Sequence, residues 1–154
     1  MKYLFLFFTM LLLGQNAKSQ ISISSNESEL VQWNFEIKKE NNKVIIIANC
    51  QLKDDWHIFS SKEFGDGSIS PTQLSIEEIS DEMNHPIYTE KGNLIDSEIE
   101  GIGPVKYFLG KASYQIEFAA PQNSKTFKGE IAYQICNEVM CQAPTTKSFT
   151  VTLK

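Results

Sequence analysis

The chain has 154 residues, 14 of them basic and 19 acidic, and a formal net charge of −5. An acidic balance without a Lys/Arg cluster argues against nucleic acid and anionic lipid as partners. Three cysteines behind an apolar N-terminal stretch make the redox compartment the first question.

Residues 1–19 read as a secretory signal. Lys2 supplies the positive region, Leu4 to Leu13 an apolar run broken only by Thr9, and Ala17-Lys18-Ser19 a small-x-small cleavage site before Gln20. The run is shorter than the about 20 residues a spanning helix needs. A cleaved signal is therefore expected, with a short signal anchor as the alternative. No cysteine follows the apolar run closely, so the lipoprotein pattern is absent. Cleavage would remove Lys2 and Lys18, leaving 12 basic against 19 acidic residues. No later apolar run is long enough for a membrane span, so no membrane insertion is expected after cleavage. Residues 20–154 have the size of one domain, expected to be soluble and periplasmic or otherwise extracytoplasmic.

The elements that follow are nearly all β. Val31, Trp33, Phe35 and Ile37 alternate with polar residues, predicting a half-buried strand. Asn41-Asn42 turns the chain into Val44 to Ala48, a β-branched run too short for a helix and expected to be central. Trp56 to Phe59 is a short third strand. Phe64 to Ser68 is a loop by its glycines, and Thr72 to Ile79 alternates with Leu74 and Ile76 on one face. Ser80 to Val105, with Pro86, Gly92, Gly101, Gly103 and Pro104, predicts long loops around one short strand. Tyr114, Ile116 and Phe118 alternate again. A final hairpin is expected from Phe127 to Ile135 and from Phe149 to Leu153, with a polar bend between. Seven or more short strands separated by turn signals favour an antiparallel β-sandwich of immunoglobulin type.

Two cysteines, Cys136 and Cys141, flank that bend with four residues between them. Antiparallel neighbours lie close to the separation a disulfide needs, so the pair can oxidise with little backbone movement. Close cysteines in exported proteins are commonly plain staples. Closing so short a loop stabilises by only ~2 kcal/mol, however, against ~4.6 kcal/mol for a Cys50–Cys141 link. A disulfide beside a flexible bend is better suited to opening and closing, which needs a partner thiolate and a second cysteine to resolve the mixed disulfide. Cys50 ends a strongly apolar strand and reads as a buried, inert thiol.

Tyr133, Cys136-Asn137, the four-residue gap, Cys141 and Pro144 together resemble the signature of the amino-terminal periplasmic domain of the DsbD family of thiol:disulfide interchange proteins. Trp56-His57-Ile58-Phe59-Ser60 resembles that family's aromatic strand, Asp66 to Thr72 the loop after it, and Tyr107-Phe108 the entry to a later strand. The matches run in the family's order over most of Val31 to Leu153. The resemblance implies an immunoglobulin-like carrier of reducing equivalents outside the cytoplasm. Its partners would be thioredoxin-like or membrane-embedded thiol:disulfide oxidoreductases and their client proteins. Cys141 would exchange with partners and Cys136 would resolve. The sequence contains neither a transmembrane module nor a Cys-x-x-Cys domain, so electrons are expected from a separate protein. The family's cap loop would match about Asp96 to Pro104, where Ile99 or Ile102 would serve as an aliphatic cap. Phe59 and His57 join them as candidates for tuning the pair; a protonated His57 would favour a thiolate, whereas a strand histidine bonded to backbone would not.

Two other function classes stand beside the carrier. One is a non-catalytic immunoglobulin-like binding module with a structural disulfide. The other is Cu(I) handling by Cys136, Met140 and Cys141, with His57 nearby. No cofactor or resident metal is expected for the carrier. Ser60-Ser61 and the acids Glu77-Glu78 and Asp81-Glu82 form no triad or paired-carboxylate pattern.

Overall fold

A computed structural model describes residues 27–62, 65–77, 79, 85–121 and 124–153. The expected signal at 1–19, Phe64, and the acids Glu78, Asp81 and Glu82 lie outside the described residues. After one helical turn, α1 (Glu27–Leu30), nine strands follow: β1 (Val31–Glu40), β2 (Lys43–Leu52), β3 (His57–Phe59), β4 (Gln73–Ile76), β5 (Ile87–Ile99), β6 (Gly103–Ala119), β7 (Thr126–Tyr133), β8 (Ile135–Cys136) and β9 (Thr145–Thr152).

All pairings between these strands are antiparallel and form two sheets, one ordered β1-β2-β6-β3-β8 with β5 also on β6, the other β4-β7-β9. The architecture is an immunoglobulin-like sandwich, as the strand spacing predicts. Asn41 and Asn42, with φ of 48° and 63°, form the two-residue turn that sets the β1/β2 register. Asparagine tolerates that left-handed backbone, and its twist matches the flanking strands. The principal core lies between the sheets. Ile46, Ile58, Phe108 and Ile116 meet Leu74, Phe127, Ile131 and Val151 there.

β6 explains how the rest is arranged. Residues 111–119 pair with β2, and residues 107–109 pair with β3. β5 follows the other edge, skipping Gly110 and Lys111 where the register shifts at Gly92/Asn93. A bulge of this kind bends a strand and raises its twist. Gly92 is required there: a Cβ would stand 2.7 Å from both Lys111 O and Phe108 Cδ1. One half of β6 thus carries β2, and the other half carries β3 and, through it, β8.

Two expectations need correction. Among the described residues, 85–105 do not form long loops around a short strand; β5 is 13 residues long and β6 begins at Gly103. β5 lies at a sheet edge and is exposed along most of its length, so it lacks the apolar alternation that reveals half-buried strands. The closing hairpin exists as β7 and β9, but it ends at Tyr133↔Thr145. Beyond it the chain changes sheets, and Cys136 lies on β8, paired with β3. Alternation continues through Gln134 and conceals that crossing.

A disulfide on the outer face of the sheet

Alternation along β3, β6 and β8 turns Ile58, Phe108 and Ile135 toward the principal core. The intervening residues Phe59, Tyr107 and Cys136 therefore face the other way. With Ile69 and Val105 they form a second small core on the outer face of the sheet, against which Ile99 and Ile102 also pack. The family resemblance points to Phe59, Ile99 and Ile102 beside the pair, whereas nothing in the sequence marks Ile69 or Val105, which come from separate segments.

Cys136 and Cys141 are bonded, with S–S 1.96 Å and Cα–Cα 4.0 Å. They face each other across an isolated antiparallel bridge. Hydrogen bonds flank it on both sides, Gln142 N donating to Ile135 O and Asn137 N to Met140 O, each at 2.9 Å. The side chain of Asn137 shapes the tip: Oδ1 accepts from Val139 N at 2.9 Å and Met140 N at 2.8 Å. This local bonding is how asparagine favours turns. The two sulfurs differ in environment. Cys136 is 2 % exposed within the small core, whereas Cys141 is an exposed residue.

His57 lies opposite Cys136 in the β3/β8 register. Its ring is 4.3 Å from Tyr107 and meets Phe59 edge-on at 5.3 Å. Burial lowers its pKa from the usual value, which disfavours the protonated ring that would favour a thiolate. Beside it runs a cleft of about 890 Å³ lined by Trp56, His57, Tyr107, Leu109, Asn137 and Val139. Val139 is 90 % exposed and Met140 52 % exposed, leaving an apolar tip beside Cys141.

The structure therefore brings Cys136, Phe59, Ile99 and Ile102 into one cluster, with His57 against its aromatic edge. Cys50 stays apart in the principal core, unpaired and buried. Burial pushes its thiol up to about 11, opposed by a hydrogen bond from the Ala112 backbone. The hydroxyls of Ser60 and Ser61 donate to Glu90 Oε1 and Oε2, each at 2.7 Å, tying the segment after β3 to β5. Among the described residues no group of three or more His, Cys, Asp or Glu is placed to hold a metal ion. No helix among them is long and apolar enough to cross a membrane.

Residues 26–153 match the family described as thiol:disulfide interchange protein DsbD, N-terminal. The chain belongs to this DsbD N-terminal family. Solved structures agree on the fold. The N-terminal periplasmic domain of ScsB from Proteus mirabilis aligns with TM-score 0.63 at 17 % identity, over 84 % of this chain and 49 % of that one. This DsbD-type chain thus spans about half the length of its ScsB counterpart. The reduced DsbD N-terminal domain of Neisseria meningitidis aligns with TM-score 0.54 at 18 % identity, covering 84 % of this chain and 90 % of that one. No curated protein gives a significant match.

Proposed function

We propose that this DsbD-type domain is an exported carrier of reducing equivalents. Residues 1–19 would be removed as a signal, and residues 20–154 would act outside the cytoplasm as a single domain. Cys136 and Cys141 exchange thiols and disulfides with a thioredoxin-like or membrane-embedded donor and with client proteins. The asymmetry of the pair carries this reading: Cys141 is an exposed residue and Cys136 is buried. A nucleophile attacks along the line of the S–S bond, so it needs access to one sulfur only. Cys141 is the sulfur that partners reach, and Cys136 is the resolving thiol.

In the forward direction, the Cys141 thiolate attacks a client disulfide and releases one client sulfur. Cys136 then attacks Cys141 and releases the second. Two thiols of the carrier become a disulfide, and the client disulfide becomes two thiols. Phe59, Ile99 and Ile102 shield Cys136 and keep water and stray thiols from it, and His57 supports this shield through its ring contacts with Phe59 and Tyr107. The apolar tip at Val139 and Met140, beside the cleft, is the surface a partner would cover.

Cys136→Ser protein, incubated with thioredoxin-like proteins in the disulfide form, is expected to accumulate a mixed disulfide at Cys141. Cys141→Ser protein is expected to form little. Equal trapping by both variants refutes the assigned roles. No trapping by either, with an unchanged fold, leaves a binding module with a structural crosslink.

A further inference from the structure

Gln134 is the residue at which the chain passes from one sheet to the other, and it is only 8 % exposed. A buried carboxamide must place both its donor and its acceptor groups. Oε1 accepts from Ser70 N at 2.9 Å, and Nε2 donates to Gln142 O at 3.0 Å. The amide can stand only this way round, since a main-chain N–H cannot accept and a carbonyl cannot donate. Ser70 follows Ile69, a member of the small core around Cys136. Gln142 directly follows Cys141, and its own N–H is held by Ile135 O. Both main-chain polar groups after the exposed sulfur are therefore fixed, one by the ribbon and one by Gln134. Neither bond passes through the disulfide.

We propose that Gln134 is a positioning residue for thiol exchange, holding the Cys141 arm within reach of Cys136 whenever the two sulfurs are not bonded. The inference rests on the carrier reading for its biological use, while the positional effect concerns the cysteine pair itself. In the step concerned, Cys141 is joined to a partner's sulfur. The Cys136 thiolate attacks Cys141 Sγ, the Cys136–Cys141 bond forms and the Cys141–partner bond breaks. The electron pair leaves on the partner's sulfur, which takes up a proton. The partner is reduced and the cysteine pair oxidised.

Because this step is intramolecular, it is governed by the effective concentration of Cys136 at Cys141. A pinned arm has few conformations to lose. A loosened arm lowers that concentration, and with it the preference for the disulfide over two thiols.

Two substitutions separate the contributions. Gln134→Glu retains an acceptor for Ser70 N–H but sets a carboxylate oxygen against Gln142 O. Gln134→Met keeps the length and removes both bonds. In glutathione buffers both variants should hold the disulfide about tenfold less strongly, equivalent to a potential about 30 mV less reducing. The glutathione adduct at Cys141, trapped by acid and counted by mass, should be about tenfold more populated relative to the closed disulfide. A purely structural role would lower the unfolding midpoints of the oxidised and reduced forms equally and leave both readouts unmoved. Ile131→Val, in the other sheet, supplies that comparison. Parental potential and adduct population in a folded Gln134 variant overturn the proposal. If partner trapping succeeds while these values stay parental, the positioning role alone fails; if trapping fails while they shift, the carrier reading alone fails.

Discussion

Reducing the Cys136–Cys141 bond should weaken the fold by only about 2 kcal/mol. The bond joins residues separated by 5 in sequence, and the chain-entropy relation for so short a loop gives ~2 kcal/mol. Little else should be lost. Neither sulfur belongs to the principal core between the sheets. The turn keeps its Asn137 bonds to Val139 and Met140, and the ribbon keeps Gln142 N to Ile135 O. For a domain of this size the loss corresponds to roughly 5–10 °C in Tm. Urea unfolding of the oxidised and fully reduced protein, followed by tryptophan fluorescence, measures the difference, and the m-values should nearly coincide. A loss above about 4 kcal/mol, near the top of the usual range for disulfides, or a reduced form unfolded in buffer, would refute the reasoning. The bond would then be a staple on which the fold depends.

The His57 pKa is lowered by burial, so between its folded value and about 6.5 the unfolded chain binds more protons than the folded one. Stability should therefore decline as pH falls through that window, and His57→Gln should flatten the decline when unfolding midpoints are compared from pH 5 to 8. Cys50, with its thiol pushed up to about 11, should resist iodoacetamide at pH 8 in native protein and react only after denaturation. Cys50→Ala should leave the glutathione potential unchanged. Gly129→Ala should destabilise by about 1–3 kcal/mol in urea unfolding, because its Cβ would stand 2.6 Å from Ser75 O and from Phe149 Cζ.

Much of the sandwich is legible in the residues themselves. The alternation of Val31 to Ile37, the Asn41-Asn42 turn and the run Val44 to Ala48 correspond to β1, its turn and a central β2. Leu74 and Ile76 face the core as their spacing predicts, as do Tyr114, Ile116 and Phe118. The family signature around the cysteines is likewise legible, as is the buried character of Cys50 on the apolar strand β2, which runs on to Leu52. The missed parts share a cause: periodicity reports one buried face and is silent when burial comes from elsewhere. β5 has too little buried surface to show a period. Gln134 occupies a position that reads as outward-facing on β7, yet the crossing between sheets buries it. Ile69 and Val105 are brought around Cys136 by topology, and no local pattern announces their meeting, whereas Ile99 and Ile102 are expected there from the family resemblance.

The division of β6 has a consequence for how the molecule can change. Residues 111–119 are locked into the two-layered body, while residues 107–109 hold β3 and, through it, the strand bearing Cys136. Along that segment Ile58, Phe108 and Ile135 face the principal core while Phe59, Tyr107 and Cys136 face outward, so only the outward set can be exchanged without touching the packing between the sheets. A single long strand thus gives one stretch of chain two separable duties, one on each side of the sheet.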